Sequence, residues 1–167
     1  MTIHSSNPFA TAPDPVRRLR GRLGGAVSLW TAGTGEERAG LTVSSVMVAN
    51  GEPGSILGLL DPDAALTEVF LRNGRAVVQL LEWADRDLAE AFGGVAPAPG
   101  GPFTLGAWTD TAYGPALVDR TRALVRLDST QEVGWSVLAI ATIEEIAVVE
   151  DHHPLEHRRG RYRDADG

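Results

Sequence analysis

Short apolar runs, separated by glycine, proline or asparagine, recur along most of this 167-residue chain. Runs of this length and composition are typical of β-strands, and the polar breaks between them are typical of turns. The first two runs are close enough to form a hairpin, and the unbroken apolar run at 55–60 predicts a strand buried on both faces. We predict strands at residues 26–31, 39–48, 55–60, 75–81, 115–118, 120–130 and 134–149.

Three short segments carry helical signals instead of strand signals. Asp14-Pro15 and Asp61-Pro62 each place a capping residue before a proline, which predicts helices from these points to about residues 23 and 72. A third helix is predicted at 85–92, ended by the glycines that follow it. Apolar residues three and four apart predict that the first helix has one buried face, formed by Val16, Leu19 and Leu23.

Three short helices among six or seven strands do not give the regular strand-helix alternation of a parallel doubly wound sheet. A small, mainly β barrel with helices at its rim fits the pattern better. The chain length fits one domain with a single core. We expect a flexible leader at 1–13, the domain at 14–163 and a tail at 164–167, with the polar segment from 151 onward holding one turn at 160–162.

Composition and charge exclude several classes of function. The net charge of −7, from 22 acidic and 15 basic residues, disfavours a surface for nucleic acid or anionic membrane. Without cysteine the chain has no disulfides and no thiol catalysis. No apolar stretch approaches the roughly 20 residues of a membrane span, and the N-terminus lacks the pattern of a signal peptide, so we expect a cytoplasmic protein.

Some side-chain groups suggest ligand binding but have a simpler structural interpretation. Arginines cluster at 17–22 and 158–163, where positive charge would suit a phosphorylated ligand or lie in solvent. Trp108 and Tyr113 would stack on a flat ligand or pack in the core. Imidazoles and carboxylates in the polar tail suit a divalent metal, although solvent exposure explains them better: Asp151, His152, His153, Glu156 and His157.

The segment 40–50 carries the clearest polar pattern on a predicted strand. The chain has no nucleophile elbow, phosphate loop, zinc helix or dinucleotide-binding glycine motif. Thr42, Ser44 and Ser45 instead offer hydroxyls near strand ends, where free backbone N–H groups also occur, and such groups suit a phosphate or a flat polar ring. Alternating polar residues on a half-exposed strand explain the same pattern equally well.

The order of motifs along the chain resembles the flavin reductase-like family, the FMN-binding split-barrel proteins. The resemblance covers about residues 15–163, nearly the whole predicted domain. Each motif is short, and their order makes the set fairly specific. The motifs are G-L-T-V-S-S at 40–45, L-D-P-D at 60–63, N-G-R at 73–75, D-L-A-E-A-F at 87–92, G-P-A-L-V-D at 114–119 and P-L-E-H-R-R-G-R-Y at 154–162.

This resemblance implies a split β-barrel of six to seven antiparallel strands with short peripheral helices. It implies a homodimer that binds FMN or FAD near the subunit interface, and an NAD(P)H:flavin oxidoreductase whose reduced flavin serves a partner monooxygenase or another acceptor. NADH or NADPH would give hydride to the flavin N5 without a catalytic side chain or a metal. The flavin-binding positions it implies are Thr42, Val43, Ser44, Ser45, Val46, Leu60, Asp61, Ala65, Arg75, Arg159 and Tyr162.

Three segments depart from the family pattern. Residues 47–50 replace a second serine-rich run, 64–66 replace serine and threonine, and 134–136 (Gly-Trp-Ser) replace a G-D-H run whose histidine lies near flavin or nicotinamide. The retained motifs favour a flavin reductase. The departures favour a split-barrel protein that binds flavin, another small ligand or a protein partner without reductase activity. The choices of FMN or FAD and of NADH or NADPH stay open.

Overall fold

A computed structural model describes residues 14–96, 98–150 and 152–167, and the expected leader at 1–13 lies outside the described residues. The helices are α1 (Pro15–Leu23), α2 (Ala65–Asn73) and α3 (Arg86–Phe92). The strands are β1 (Gly25–Ala26), β2 (Ser28–Ala32), β3 (Ala39–Val43), β4 (Val46–Ala49), β5 (Ser55–Leu60), β6 (Arg75–Leu80), β7 (Trp108–Thr111), β8 (Gly114–Leu117), β9 (Arg122–Val133), β10 (Ser136–Ala147), β11 (Leu155–Arg158) and β12 (Arg161–Asp164).

Seven strands form one curled antiparallel sheet in the order β3-β2-β6-β9-β10-β5-β4. Two smaller sheets complete the fold: β1 with the β11–β12 hairpin, and the β7–β8 hairpin. The prediction of a mainly β, antiparallel split barrel with short peripheral helices is confirmed. Among the described residues, no helix has both the length and the hydropathy that crossing a bilayer requires.

The main hydrophobic core lies between the curled sheet and α2. Trp30 of β2 is fully buried and meets Phe70 of α2 edge to face, with ring centroids 5.9 Å apart. Gly58 of β5 makes this packing possible, because a Cβ atom there would lie 2.5 Å from the Trp30 ring. The left-handed Gly74 (φ 72°) ends α2, so that β6 can enter the sheet.

A second core cluster joins α3 to β8 and to the three-stranded sheet of β1, β11 and β12. Phe92 of α3 packs against Phe103 and Trp108, with ring centroids 4.8 and 5.8 Å apart. Leu155 of β11 belongs to the same cluster and is 1% exposed. The segment from 155 onward therefore forms a hairpin that packs in this cluster, and the prediction that the polar segment from 151 onward holds only one turn is wrong.

The first helix forms where predicted, but the prediction of a buried face on it is wrong for the single chain. Asp14 caps α1, since its carboxylate accepts the Val16 N–H at 3.0 Å. Val16, Leu19 and Leu23 are nevertheless 75%, 65% and 77% exposed. The body of the domain instead contacts the face of α1 that carries its glycines, because Gly21 and Gly24 adjoin β11 and the turn after it.

Three strand predictions also differ from the structure. The predicted strand at 39–48 is divided into β3 and β4, because the chain leaves the sheet at Ser44 and Ser45. β5 alternates between buried and partly buried residues, so it is not fully buried on both faces as predicted. β7, which carries few apolar residues, pairs with β8 and was not predicted.

Candidate functional site

The main chain leaves the large sheet for two residues, Ser44 and Ser45, between β3 and β4. Before the break, the Ser28 hydroxyl donates to the Val43 carbonyl over 2.6 Å. The Ser45 carbonyl accepts the Leu59 N–H at 3.0 Å, which holds the break against the end of β5. Within the described residues, the N–H groups of both serines and the Ser44 hydroxyl have no hydrogen-bond partner. These partly exposed donors are available to a ligand.

The two residues before the break place their side chains inside the protein. The Thr42 hydroxyl donates to the Ala89 carbonyl of α3 at 2.7 Å, and the Thr42 side chain is almost fully buried. Val43 belongs to the main core, whereas Val46 packs at its partly exposed margin. Ligand contacts of Thr42 and Val43 would therefore run through backbone groups, and their expected role stays a prediction.

The end of β5 leads into a turn before α2. The Asp61 carboxylate accepts the Asp63 N–H at 2.9 Å. The Asp61 carbonyl accepts both the Ala64 N–H at 3.2 Å and the Thr67 hydroxyl at 2.6 Å. These bonds hold residues 61–64 as a turn, so α2 begins at Ala65 and the predicted start directly after Asp61 is wrong.

The first turn of α2 has no side-chain cap, since its N-cap residue is Ala64. The first N–H groups of an α-helix have no partner within the helix, and together with the helix dipole they favour an anion. Ala65 is exposed at this end, and Leu60 is buried where β5 enters the turn. The carboxylates of Asp61 and Asp63 oppose an anion here, so the field at this end of α2 is mixed.

Helix α1 adds a residue that the motifs do not assign to the site. Nη2 of Arg20 donates to the Ser45 hydroxyl over 3.2 Å. The Arg159 N–H donates to the Gly21 carbonyl at 2.8 Å, so α1 also rests on the turn between β11 and β12. A sequence signal for this contact is the helical face that carries Gly21 and Gly24 beside Arg20, because small residues let another segment approach closely.

His157 and Tyr162 lie opposite each other on β11 and β12, with ring centroids 5.4 Å apart. Burial lowers the pKa of His157, and the Arg20 guanidinium lowers this pKa further. Burial raises the pKa of the Tyr162 hydroxyl, and Glu90 adds to the increase. Arg159 and Tyr162, two of the expected flavin contacts, are thus placed close to α1.

Arg75 lies away from the serines, at the opposite end of β2. It lines a cleft of about 450 Å³ with Gly33 and Thr34, which follow the last residue of β2. Its guanidinium stands over the Tyr113 ring, 5.1 Å from the centroid, and the Tyr113 hydroxyl donates to Glu144 at 3.0 Å. The structure does not bring Arg75 together with the other expected flavin contacts.

The aromatic candidates of the sequence also lie outside the serine break. Trp108 donates from its indole to the Leu105 carbonyl at 2.6 Å and packs in the second core cluster, which favours the core interpretation. Trp135, in the run that departs from the family pattern, is 71% exposed at the tip of the β9–β10 hairpin. Val137 pairs with Leu60, so this tip extends beyond the end of β5, on the side of the serine break.

The tail histidines do not converge on one point. Nδ1 of His153 lies 2.9 Å from the Asp164 carboxylate, whereas His157 packs against Tyr162. Across 14–96, 98–150 and 152–167, no group of three or more histidines and carboxylates is placed to hold a metal ion. Asp151, which the sequence places in this cluster, lies outside the described residues.

Comparison with known proteins identifies the family. The sequence model of the flavin reductase like domain matches residues 20–166, so the chain belongs to this family. It is 28% identical over 172 residues to FMN reductase (NADH) RutF 2 of Methylorubrum extorquens strain PA1, covering 95% of this chain and 93% of the relative. It is 25% identical over 137 residues to the 4-hydroxyphenylacetate 3-monooxygenase reductase component of Pseudomonas aeruginosa, covering 80% and 81%.

Solved structures support the same fold. NADH:FAD oxidoreductase SgcE6 of Streptomyces globisporus C-1027, in complex with NAD and FAD fragments, superposes with a TM-score of 0.80. The match covers 92% of this chain and 96% of that chain at 19% sequence identity. At this identity the likeness shows the fold alone.

Proposed function

We propose that this protein is a flavin reductase that binds FMN or FAD at the break between β3 and β4 and reduces it with a nicotinamide nucleotide. The observation that carries the proposal is the set of free donors at Ser44 and Ser45, held against the end of β5 by the Leu59–Ser45 hydrogen bond of 3.0 Å. The family membership and the relatives named for NADH-dependent FMN reduction support the same activity.

The chemical groups at this site suit those of a flavin. Ser44 and Ser45 would donate from N–H and hydroxyl groups to the oxygens and nitrogens of the ring edge. The uncapped start of α2 at Ala65 would face the phosphate end, and Leu60 and Val46 would support the apolar part. When bound, a flavin supplies an electron-accepting ring that takes hydride directly from a nicotinamide.

The contribution of this chain to such a reaction is positioning. Hydride transfer requires the two rings to be held in contact, and a fixed geometry lowers the entropic part of the barrier. The serine break joins two strands of a sheet that packs on a buried core, and its hydrogen bond to Leu59 fixes the donors relative to β5. No side chain has to give or take a proton at the moment of transfer.

A second function is favoured by the replaced polar groups. Ala64 provides no side-chain cap at the start of α2, and Trp135 with Ser136 occupies the hairpin tip where the family pattern has aspartate and histidine. A protein with these changes would bind flavin or another small ligand without using a nicotinamide nucleotide. Binding and turnover therefore have to be measured separately.

We further propose that the protein acts as a homodimer and supplies reduced flavin to a monooxygenase. The named function of the Pseudomonas aeruginosa relative, a monooxygenase reductase component, supports the second role. The exposed apolar stripe of α1 supports the first, because large exposed apolar surfaces mark interfaces.

The experiment is a titration of the purified protein with FMN and FAD, followed by assays of NADH and NADPH oxidation with the flavin that binds. We expect a dissociation constant in or below the micromolar range and nucleotide oxidation that depends on flavin. If neither flavin binds at high micromolar concentration, the reductase function is contradicted, and so is flavin binding without turnover. Binding without nucleotide oxidation would favour the second function.

A further inference from the structure

Most of the positive charge of this acidic protein is concentrated beside the serine break. The chain has 15 arginines and no lysine, and eight of the arginines lie in α1 and the β11–β12 hairpin. Within the described residues, none of these eight forms an ion pair with a carboxylate. The eight are Arg17, Arg18, Arg20, Arg22, Arg158, Arg159, Arg161 and Arg163.

The fold brings the two arginine clusters together. The hydrogen bond from the Arg159 N–H to the Gly21 carbonyl joins the β11–β12 turn to the last turn of α1. At the end of α1, a Cβ on Gly24 would lie 3.3 Å from Cγ of Arg158, so this side chain rests on the helix. On β11 and β12, Arg158 and Arg161 are direct cross-strand partners, although like charges in this arrangement are destabilising. Such an arrangement suits an anion that neutralises it.

Arg20 is the member of this group that touches the candidate flavin site. Burial of part of the guanidinium, followed by the charge of Arg17, lowers the pKa of Arg20, although the residue is exposed to solvent. The Ser45 hydroxyl is a neutral acceptor and uses one of the five N–H donors of the guanidinium. The remaining donors and the charge are free to pair with a phosphate, which guanidinium groups bind in a bidentate manner.

We propose that Arg17 and Arg20, with the Arg159 turn beside them, bind the adenosine-side phosphate in the diphosphate of a dinucleotide whose ring lies at the serine break. The inference rests on the proposed function, because it assumes that flavin occupies Ser44 and Ser45 and that nicotinamide is held against the flavin ring. Two ligands share this chemistry: FAD and the pyridine dinucleotide each carry a diphosphate. Their mononucleotide counterparts, FMN and reduced nicotinamide mononucleotide, carry a single phosphate and lack the adenosine-side one, so they would not need the arginines.

A purely structural role for these arginines makes a different prediction. Basic residues in the last turn of a helix stabilise it through the helix dipole, and Arg20 and Arg22 both lie there. If that were their whole role, replacing them would lower the melting temperature equally and leave ligand discrimination unchanged. The test therefore compares dinucleotides with mononucleotides in the same variant.

The experiment uses the full chain with Arg17→Gln and Arg20→Gln combined. The matched control combines Arg18→Gln with Arg22→Gln, which removes the same charge from another face of α1. Dissociation constants are measured for FMN and FAD, and KM values for NADH and reduced nicotinamide mononucleotide. We expect Arg17→Gln with Arg20→Gln to weaken FAD binding, or to raise the KM for NADH, by about tenfold or more. The reason is that the variant loses charge-assisted hydrogen bonds to the phosphate. The mononucleotides should change by less than about twofold, and so should all ligands of the control.

An effect on FAD alone would identify the flavin as the source of the diphosphate, and an effect on NADH alone would identify the reductant. The inference is overturned if mononucleotides and dinucleotides are affected equally, if neither changes, or if the control pair has the same effect. Failure of the wild-type protein to bind any flavin would instead contradict the proposed function itself.

Competition on the wild-type protein tests the inference even if the double variant does not fold. ADP should displace the dinucleotide at least tenfold more effectively than adenosine, because adenosine lacks the diphosphate. Equal competition by ADP and adenosine would overturn the assignment.

Discussion

Ser44 and Ser45 show how two residues without strong individual signals can form a candidate site. Each is compatible with a β-strand, yet the chain leaves the sheet at both, and the Leu59 N–H is bonded to the Ser45 carbonyl. The Ser45 side chain is also in contact with Arg20. The polar groups at this point therefore belong to three separate parts of the chain.

Replacing both serines by alanine, Ser44→Ala with Ser45→Ala, should weaken flavin binding by about 1–3 kcal/mol, because polar groups of the ligand would lose their partners. The backbone donors stay, so binding should be reduced but not abolished. The measurement is a titration with FMN in which flavin fluorescence reports binding. Ser55→Ala, at the other end of β5, is the control and should leave the affinity unchanged. Unchanged affinity in the double variant would show that flavin binds elsewhere.

His157 makes stability depend on pH in a defined direction. Burial depresses its pKa in the folded protein below the value of about 6.5 in an unfolded chain. The unfolded state therefore binds more protons, so the contribution of neutral His157 is present above about pH 6.5 and is lost as the pH falls through the folded-state pKa. We expect the melting temperature to fall between pH 7.5 and pH 5.

In His157→Gln this part of the pH dependence should be absent, so the fall in melting temperature between pH 7.5 and pH 5 should be smaller. His152→Gln is the matched control, because its side chain is exposed, and it should follow the wild-type curve. Identical curves for all three proteins would contradict a role for His157 burial.

At the scale of elements, the β11–β12 hairpin is the part of the fold that the sequence predicted least well. Along both strands, partly buried residues such as His157 and Tyr162 alternate with exposed charged ones. Leu155 is the buried apolar residue that attaches the hairpin to the core. The β2–β3 hairpin was predicted because its apolar residues and its turn are adjacent in sequence. By contrast, β11 pairs with β1 more than a hundred residues away, and local pattern carries no information about such a partner.

The candidate site likewise has a part that local motifs predicted and a part that depends on tertiary contacts. The resemblance assigned Ser44, Ser45, Leu60 and Asp61 to one site, and the hydrogen bond from the Leu59 N–H to the Ser45 carbonyl holds the serine break beside the end of β5. Arg20 was not assigned, because its contact with Ser45 depends on how α1 docks on the hairpin, which no local pattern specifies.

Leu155→Ala should destabilise the protein by about 2–5 kcal/mol, the usual cost of removing a fully buried leucine side chain. Leu155 also links the hairpin to the large sheet, since its N–H donates to the Leu81 carbonyl at 3.0 Å and its carbonyl accepts the Val27 N–H at 2.9 Å. Urea unfolding is the measurement. Val118→Ala, at a position 44% exposed, should change stability by less than about 1 kcal/mol. Similar losses in both variants would show that the hairpin is not part of the cooperative unit.

At the scale of the whole molecule, α1 has two occupied faces and one apolar face that none of the described residues covers. Its glycine face contacts the β11–β12 turn, and its arginines lie beside the serine break. The third face, formed by Val16, Leu19 and Leu23, is exposed in the single chain. An amphipathic helix of this kind is stabilised when another surface covers its apolar side, and a second copy of the chain is the partner that the family resemblance implies.

We therefore predict that the protein is a dimer with twice the 17.7 kDa mass of one chain, and that the apolar face of α1 lies in its interface. Leu19→Glu combined with Leu23→Glu should shift the protein toward monomer, because buried unpaired carboxylates are strongly unfavourable. Arg18→Glu with Arg22→Glu has the same spacing on another face of the helix and should leave the dimer intact. Light scattering coupled to size-exclusion chromatography at several concentrations measures the mass of each. A wild-type monomer at every concentration would contradict the dimer, and equal masses for both variants would place the interface away from α1.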